Sequence, residues 1–139
     1  NAGYVIMHME GDPDNMQKKP TYNNVVDSIY TFFNSKINEL ESINIKNIII
    51  DPGFGFGKTI DHNFEILSNL ERFKEFKRPL LTGLSRKSMI YKFLNTSPSE
   101  ALNGTSILNT IALNNGADIL RVHDIIEAKE CIALFNKLN

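Results

Sequence analysis

Four short apolar runs, each passing into a polar or glycine-rich stretch and then into a helical pattern, restrict this chain more than any other feature. The runs are Tyr4–Met7 and residues 47–50, 79–82 and 117–122. After the first, Val25, Val26, Ile29, Phe32, Phe33, Ile37 and Leu40 share one helical face over residues 25–43. Asp61 or His62 opens a second helix, carrying Phe64, Ile66, Leu67, Leu70 and Phe73. A short third helix is predicted over residues 86–93. Ser97 caps a fourth, with Pro98 in its first turn and Glu100 completing an acidic start; it breaks near Gly104 and stops at Gly116. Asp124 caps a last helix that ends at Leu138. The order is β-α four times over, with no Asn-Gly hairpin between strands, so the strands are parallel and helix-covered. Such an α/β chain fits half of an eight-stranded barrel and also fits a small open sheet.

The chain's 139 residues are enough for one core. A net charge of -1 gives no electrostatic reason to expect nucleic acid or an anionic membrane as partner. No apolar stretch has the length of a membrane span. The single cysteine, Cys131, cannot form an internal disulfide and reads as a core residue, which points to a reducing, cytoplasmic compartment. The chain starts at Asn1 almost directly in a buried strand, so it reads as one segment of a larger protein.

Polar and glycine residues gather just after each run, in residues 8–17, 51–58, 83–88 and 121–124. In parallel β/α folds these are the strand carboxyl ends, where small molecules bind. The stretch Asp51-Pro52-Gly53-Phe54-Gly55-Phe56-Gly57-Lys58-Thr59 invites comparison with a nucleotide phosphate loop. That motif requires glycine where this chain has Pro52, and Gly53 leaves the loop one residue short. The glycines instead demand tight turns or close approach of backbone to a ligand. Asp51, ending a run of three isoleucines, suits paired N–H donors of a flat heterocycle. Lys87, beside Ser85 and Ser88 at a helix start, suits an anion. Arg121 and His123 are two apart on a strand end and project the same way, forming a second anion site. His8, His62 and His123 lack metal-ligand spacing, and His62 reads as a surface or capping residue.

Together the loops carry a family resemblance. The run Met7-His8-Met9-Glu10-Gly11-Asp12-Pro13, then Met16-Gln17, then residues 51–58, then Ser85-Arg86-Lys87-Ser88, then Arg121-Val122-His123-Asp124 resembles the dihydropteroate synthases in order and spacing. The resemblance implies a TIM-type (β/α)8 barrel of which residues 1–139 are the carboxyl-terminal half, strands five to eight, with the amino-terminal half absent. It implies that dihydropterin diphosphate and p-aminobenzoate are condensed to dihydropteroate in folate biosynthesis, the reaction that sulfonamides target.

On the matching positions, Asp51 accepts from the pterin amino and ring N–H groups, and Lys87 contacts the pterin's polar edge. Arg121 stacks on the pterin and, with His123, holds the diphosphate. Ser88 receives the carboxylate of p-aminobenzoate, Arg86 lies near that second substrate, and Met7, Phe56 and Gly83 line the pockets. Asp51, Lys87, Arg121 and His123 are thus the expected catalytic set. The resemblance also implies magnesium with ligands outside this segment, and a homodimer of the full-length enzyme. A pterin-dependent methyltransferase of related fold and a non-catalytic half-barrel module are the competing readings.

Overall fold

The computed structural model describes residues 2–11 and 22–138. The motif residues Asp12, Pro13, Met16 and Gln17 lie outside them. Strand β1 is Tyr4–Met7, helix α1 Val25–Ser42, β2 Ile48–Asp51 and α2 Ile60–Ser68. A 3₁₀ helix, Leu70–Phe76, leads to β3, Leu81–Thr82. Helix α3 is Ser88–Tyr91; a 3₁₀ turn, Pro98–Glu100, precedes α4, Leu102–Asn114. Strand β4 is Ile119–Leu120 and α5 is Ile125–Leu138.

Among the described residues all strand pairing is parallel, as the alternation requires. β1 pairs with β2 and β3 with β4, and a parallel bridge between Ile50 and Leu80 joins the two pairs. The register sets Met7 level with Asp51 and Thr82 level with Leu120. Each strand therefore releases its loop at the same edge, so the polar loops collect there.

The helices form where the apolar spacing placed them. Asn24 caps α1 by accepting from the Asp27 N–H at 2.9 Å, and Val25, Val26, Ile29, Phe33, Ile37 and Leu40 turn inward. Phe33 has no exposed surface and meets the rings of Phe73 and Phe76 edge-on at 5.7 and 5.9 Å, which docks α1 on the 3₁₀ segment. Truncating Phe33 to alanine removes about 3–5 kcal/mol of packing. Thr59 rather than Asp61 or His62 caps α2, with His62 completing the box through its ring, the capping role expected of it.

Several boundaries differ from expectation. The second helix ends at Ser68, so Leu70 and Phe73, expected on it, fall in the 3₁₀ segment instead. Ser97 and Glu100 form their capping box, but it closes a single 3₁₀ turn, and the helix restarts at Leu102. Gly104 does not break α4. A Cβ there would sit 2.5 Å from Ile90 Cγ2, so glycine lets α4 lie close against α3. Cys131 is buried, its Sγ 3.5 Å from the Ser106 carbonyl oxygen.

Candidate active site

Asp51 ends β2 with no exposed surface. Its Oδ1 accepts the Gly53 N–H at 2.8 Å, which fixes the carboxylate. Its Oδ2 has no hydrogen-bond partner among the described residues, but Arg121 Nη2 lies 3.3 Å away as an ion pair. Burial pushes the Asp51 carboxyl up from its ordinary value, opposed by the Gly53 N–H, then by Arg121, Lys58 and Lys87. The result is a buried acceptor with one oxygen engaged and the other satisfied in charge but not in hydrogen bonding.

The glycine loop is pressed onto the loop after β1. Gly53 and Gly57 have φ of 72° and 65°, and Cβ atoms there would lie 1.9 Å from the His8 carbonyl oxygen and 2.2 Å from that of Glu10. The close approach that the glycines signal is therefore to neighbouring backbone. Lys58 ties the same loops. It is 4% exposed, and its Nζ donates to the carbonyls of His8, Gly53 and Phe56 at 3.2, 2.9 and 3.0 Å. Burial pulls the Lys58 pKa down to about 7 against the pull of Asp51 and Glu10, yet three carbonyl acceptors call for all three ammonium hydrogens. Asn63 completes the frame by accepting from the Gly55 N–H at 2.8 Å, and the Tyr22 hydroxyl donates to the Gly57 carbonyl at 3.0 Å.

At the β3 and β4 tips the contacts are between side chains. Gly83 carries no side chain because the Arg121 guanidinium fills that space: a Cβ would lie 2.8 Å from Nη2. Lys87 Nζ stands over the Phe56 ring, 4.5 Å from its centre. Burial and then Arg121 pull the Lys87 ammonium pKa down, and Asp51 pulls it up. The Ser85 hydroxyl accepts the His123 N–H at 3.2 Å and lies 3.1 Å from Nδ1. Gly83, Ser85, Lys87, Arg121, Val122 and His123 line a cleft of about 200 Å³. A larger hollow of about 620 Å³ between α4 and α5 has no Lys or Arg among its lining residues, so the cationic chemistry sits at the tips.

Arg86 occupies a left-handed turn, φ 51°. Its Nε and Nη2 form a fork on Asp124, each at 2.9 Å, and its Nη1 donates to the Pro98 and Ser99 carbonyls. Four of its five N–H groups are thus committed to protein, and both Asp124 carboxylate oxygens engage Arg86, with Ser85 as a further side-chain partner, while the Asp124 carbonyl accepts the first bond of α5 from Ala128.

The structure brings Asp51, Arg121, Lys87 and Phe56 together, with His123 and Gly83 on the adjoining cleft and Met7 beside Gly53. Ser88 is the first residue of α3, which has only four residues. Sequence reasoning does not single out Lys58 and Asn63 as parts of this framework, and it names Ser85 only as a neighbour of Lys87, not as the partner of His123; burial is the signal, and burial of a lysine is not visible in sequence. Thr82 is also buried, and no contact in the structure accounts for its unpartnered hydroxyl. Among the described residues, no group of three or more His, Cys, Asp and Glu could hold a metal ion. The described residues do not fit a magnesium site.

Residues 1–123 match the family model described as "Pterin binding enzyme". The chain is 43% identical over 129 residues to the dihydropteroate synthase of Escherichia coli K12, covering 91% of this chain and 46% of that protein. The structure of the Yersinia pestis synthase with a sulfonamide drug superposes with a TM-score of 0.95 at 38% identity, over 98% of this chain and 50% of that one. Structures of the Thermus thermophilus synthase, one in complex with 6HMPPP and one with 4-aminobenzoate, superpose with TM-scores of 0.91 at 32% identity. They are covered over 54% and 56% of their length and cover 96% of this chain. The chain spans about half the length of the curated relatives it matches, and its parallel βα units are half of a TIM-type barrel. With the match running through every strand tip that builds the site, this chain belongs to the pterin-binding enzyme family.

Proposed function

We propose that residues 1–139 are the carboxyl-terminal half of a dihydropteroate synthase, strands five to eight of its barrel, with the amino-terminal half absent from these residues. The observation that carries this is one constellation: a buried carboxylate, Asp51, 3.3 Å from Arg121 and within the field of Lys87, with both cations lining a cleft they share with His123. A flat heterocycle with amino and ring N–H groups supplies what Asp51 Oδ2 lacks. The Thermus thermophilus complexes with 6HMPPP and 4-aminobenzoate support this choice of substrates.

In the reaction the C–O bond between the pterin methylene and diphosphate breaks. The arylamine nitrogen forms a C–N bond and releases a proton. The aniline is already neutral, so the work is positioning and charge stabilisation. Arg121 and His123 take up the charge of the leaving diphosphate, while Asp51 stabilises cationic character on the methylene. Lys87 holds the polar edge of the ring, Met7, Phe56 and Gly83 shape its walls, and Ser88 receives the carboxylate of p-aminobenzoate. Arg86 serves that second pocket through its fork on Asp124, which holds the loop bearing Lys87 and Ser88. Magnesium, which the family resemblance implies, would be held by groups outside this chain and would add to the charge stabilisation of the leaving diphosphate. The family likeness also supports a homodimer, and the unpaired Cys131 supports the cytoplasm.

In the full-length protein, Asp51→Asn slows turnover far more than it raises the KM for p-aminobenzoate; equal losses in both contradict the assignment. The 139 residues alone give no turnover, since a half-barrel exposes two sheet edges, and measurable product from them counts against the half-site reading.

A further inference from the structure

Lysine is almost never fully buried unless it is paired. Lys58 is 4% exposed, and among the described residues no carboxylate stands within salt-bridge distance of it. The charges facing it are Asp51 and Glu10, with the neutral His8 ring alongside. An uncharged side chain of the same length would avoid the cost of desolvating an ammonium. What the ammonium does here is therefore the question.

Its three hydrogens go to carbonyls on two separate loops. The His8 carbonyl belongs to the loop after β1; those of Gly53 and Phe56 belong to the loop after β2. Both peptide groups of Gly53 are gripped, its N–H by Asp51 Oδ1 and its carbonyl by Lys58. Phe56, held through its own carbonyl, is the ring over which Lys87 Nζ stands. One buried cation thus lies behind both groups that face the heterocycle. All three ammonium hydrogens of Lys58 are spent on main-chain carbonyls, which leaves none to donate to substrate, whereas the likewise buried Asp51 keeps Oδ2 without a hydrogen-bond donor among the described residues.

Resting on the pterin reading above, we propose that Lys58 is a positioning residue whose ammonium locks Asp51 and the Phe56–Lys87 pair in mutual register for the ring. It acts by shape, through three main-chain carbonyls, and exchanges no proton with substrate. Tetrahedral geometry matters as much as charge. A guanidinium is planar and longer, and does not present three N–H groups to these three oxygens.

The test is Lys58→Met in the full-length protein, with 6-hydroxymethylpterin as the calorimetric probe because it lacks the diphosphate. Expected are about 10- to 100-fold weaker pterin binding, a KM for p-aminobenzoate nearly unchanged at saturating pterin diphosphate, and faster amide exchange in residues 53–57 with α1 still protected. Unchanged pterin affinity, or equal loss for both substrates with α1 deprotected, overturns the inference. Should the methionine variant fail to fold, Lys58→Arg replaces it: weakened pterin binding is expected, and wild-type affinity overturns it. A wild-type protein that binds no pterin sinks the function reading, while the exchange pattern of 53–57 in variant against wild type still decides the role of Lys58.

Discussion

The loops after β1 and β2 meet through their backbones, whereas those after β3 and β4 meet through side chains. In the first pair, Gly53 and Gly57 lie directly on the carbonyls of His8 and Glu10, and Lys58 binds carbonyls of both loops. In the second, Ser85 holds His123 and Arg86 holds Asp124. Backbone contact leaves no room for adjustment, which suits the fixed carboxylate of Asp51. Side-chain contact lets Arg121 and Lys87 project from anchored loops into a cleft where charge arrives and leaves.

The sharpest way to break this contrast is Gly53→Ala against Gly55→Ala. At Gly53 a methyl group would sit 1.9 Å from a backbone oxygen, at a φ of 72°. The loops must separate, at a cost above about 4 kcal/mol. At Gly55 φ is 82° but the nearest atom is Lys87 Cδ at 3.4 Å, so only the left-handed strain remains, about 1–2 kcal/mol. Thermal melts of the two variants in the full-length protein should differ widely. Equal melting would mean that the loops are not in backbone contact.

Much of this was readable in advance, and the reasons differ by residue. The helical face of α1 and the parallel order followed from apolar spacing, since burial of Ile29, Phe33 and Ile37 is what makes that helix stable in place. Asp51, Arg121 and His123 stand out in the sequence because they sit at strand ends, and Lys87 because it stands at a helix start. In the sequence Lys58 is visible only as part of an incomplete phosphate-loop pattern, because its partners are main-chain carbonyls and carbonyls have no sequence signature. Gly104 misled for a related reason: a glycine needed for close helix packing looks the same in sequence as one that ends a helix. Asp124 was expected to cap α5 with its side chain, but a guanidinium fork outcompetes a single backbone N–H.

The next largest effect concerns His8, at the backbone-matched end. It is 5% exposed, its Nδ1 has no partner among the described residues, and burial followed by the Lys58 charge lowers its pKa from 6.5 to about 4. The unfolded ring takes a proton near 6.5 while the folded ring refuses it until about 4. Stability is therefore present above pH 6.5 and lost as pH falls toward 4, by up to about 3 kcal/mol. Asp51, with its raised pKa, gains a proton earlier when folded and offsets part of this loss. Comparing wild type with His8→Gln by denaturant titration isolates the histidine. If the two show the same slope between pH 6.5 and 4, His8 is not held neutral by the fold.

At the side-chain end, Arg86→Ala and Asp124→Ala each lower the melting temperature, by less than the Gly53 variant does, because both side chains are a fifth to a quarter exposed and water can replace the lost partner. The double variant should melt close to the worse single variant. Additive losses would mean that the fork does not act as one unit. Lys in place of Arg86 should not rescue, since it has no planar fork to match the carboxylate.

The smallest effect lies at the opposite edge of the sheet, and it separates charge from hydrogen bonding. Lys74 and Asp118 form an ion pair at 2.8 Å with both side chains about 40% exposed, so Lys74→Met should cost about 0–1 kcal/mol, less in high salt. Asp118 does more than pair. Its Oδ2 also accepts the Leu80 N–H at 2.8 Å, at the point where β3 begins beside β4. Asp118→Ala removes that acceptor and should cost about 1–2 kcal/mol, with little salt dependence in the excess. Denaturant titrations of both variants at two salt concentrations distinguish the contributions. Equal costs that fade together in salt would show that the Leu80 N–H finds water instead, and that this edge depends on solvated charge alone.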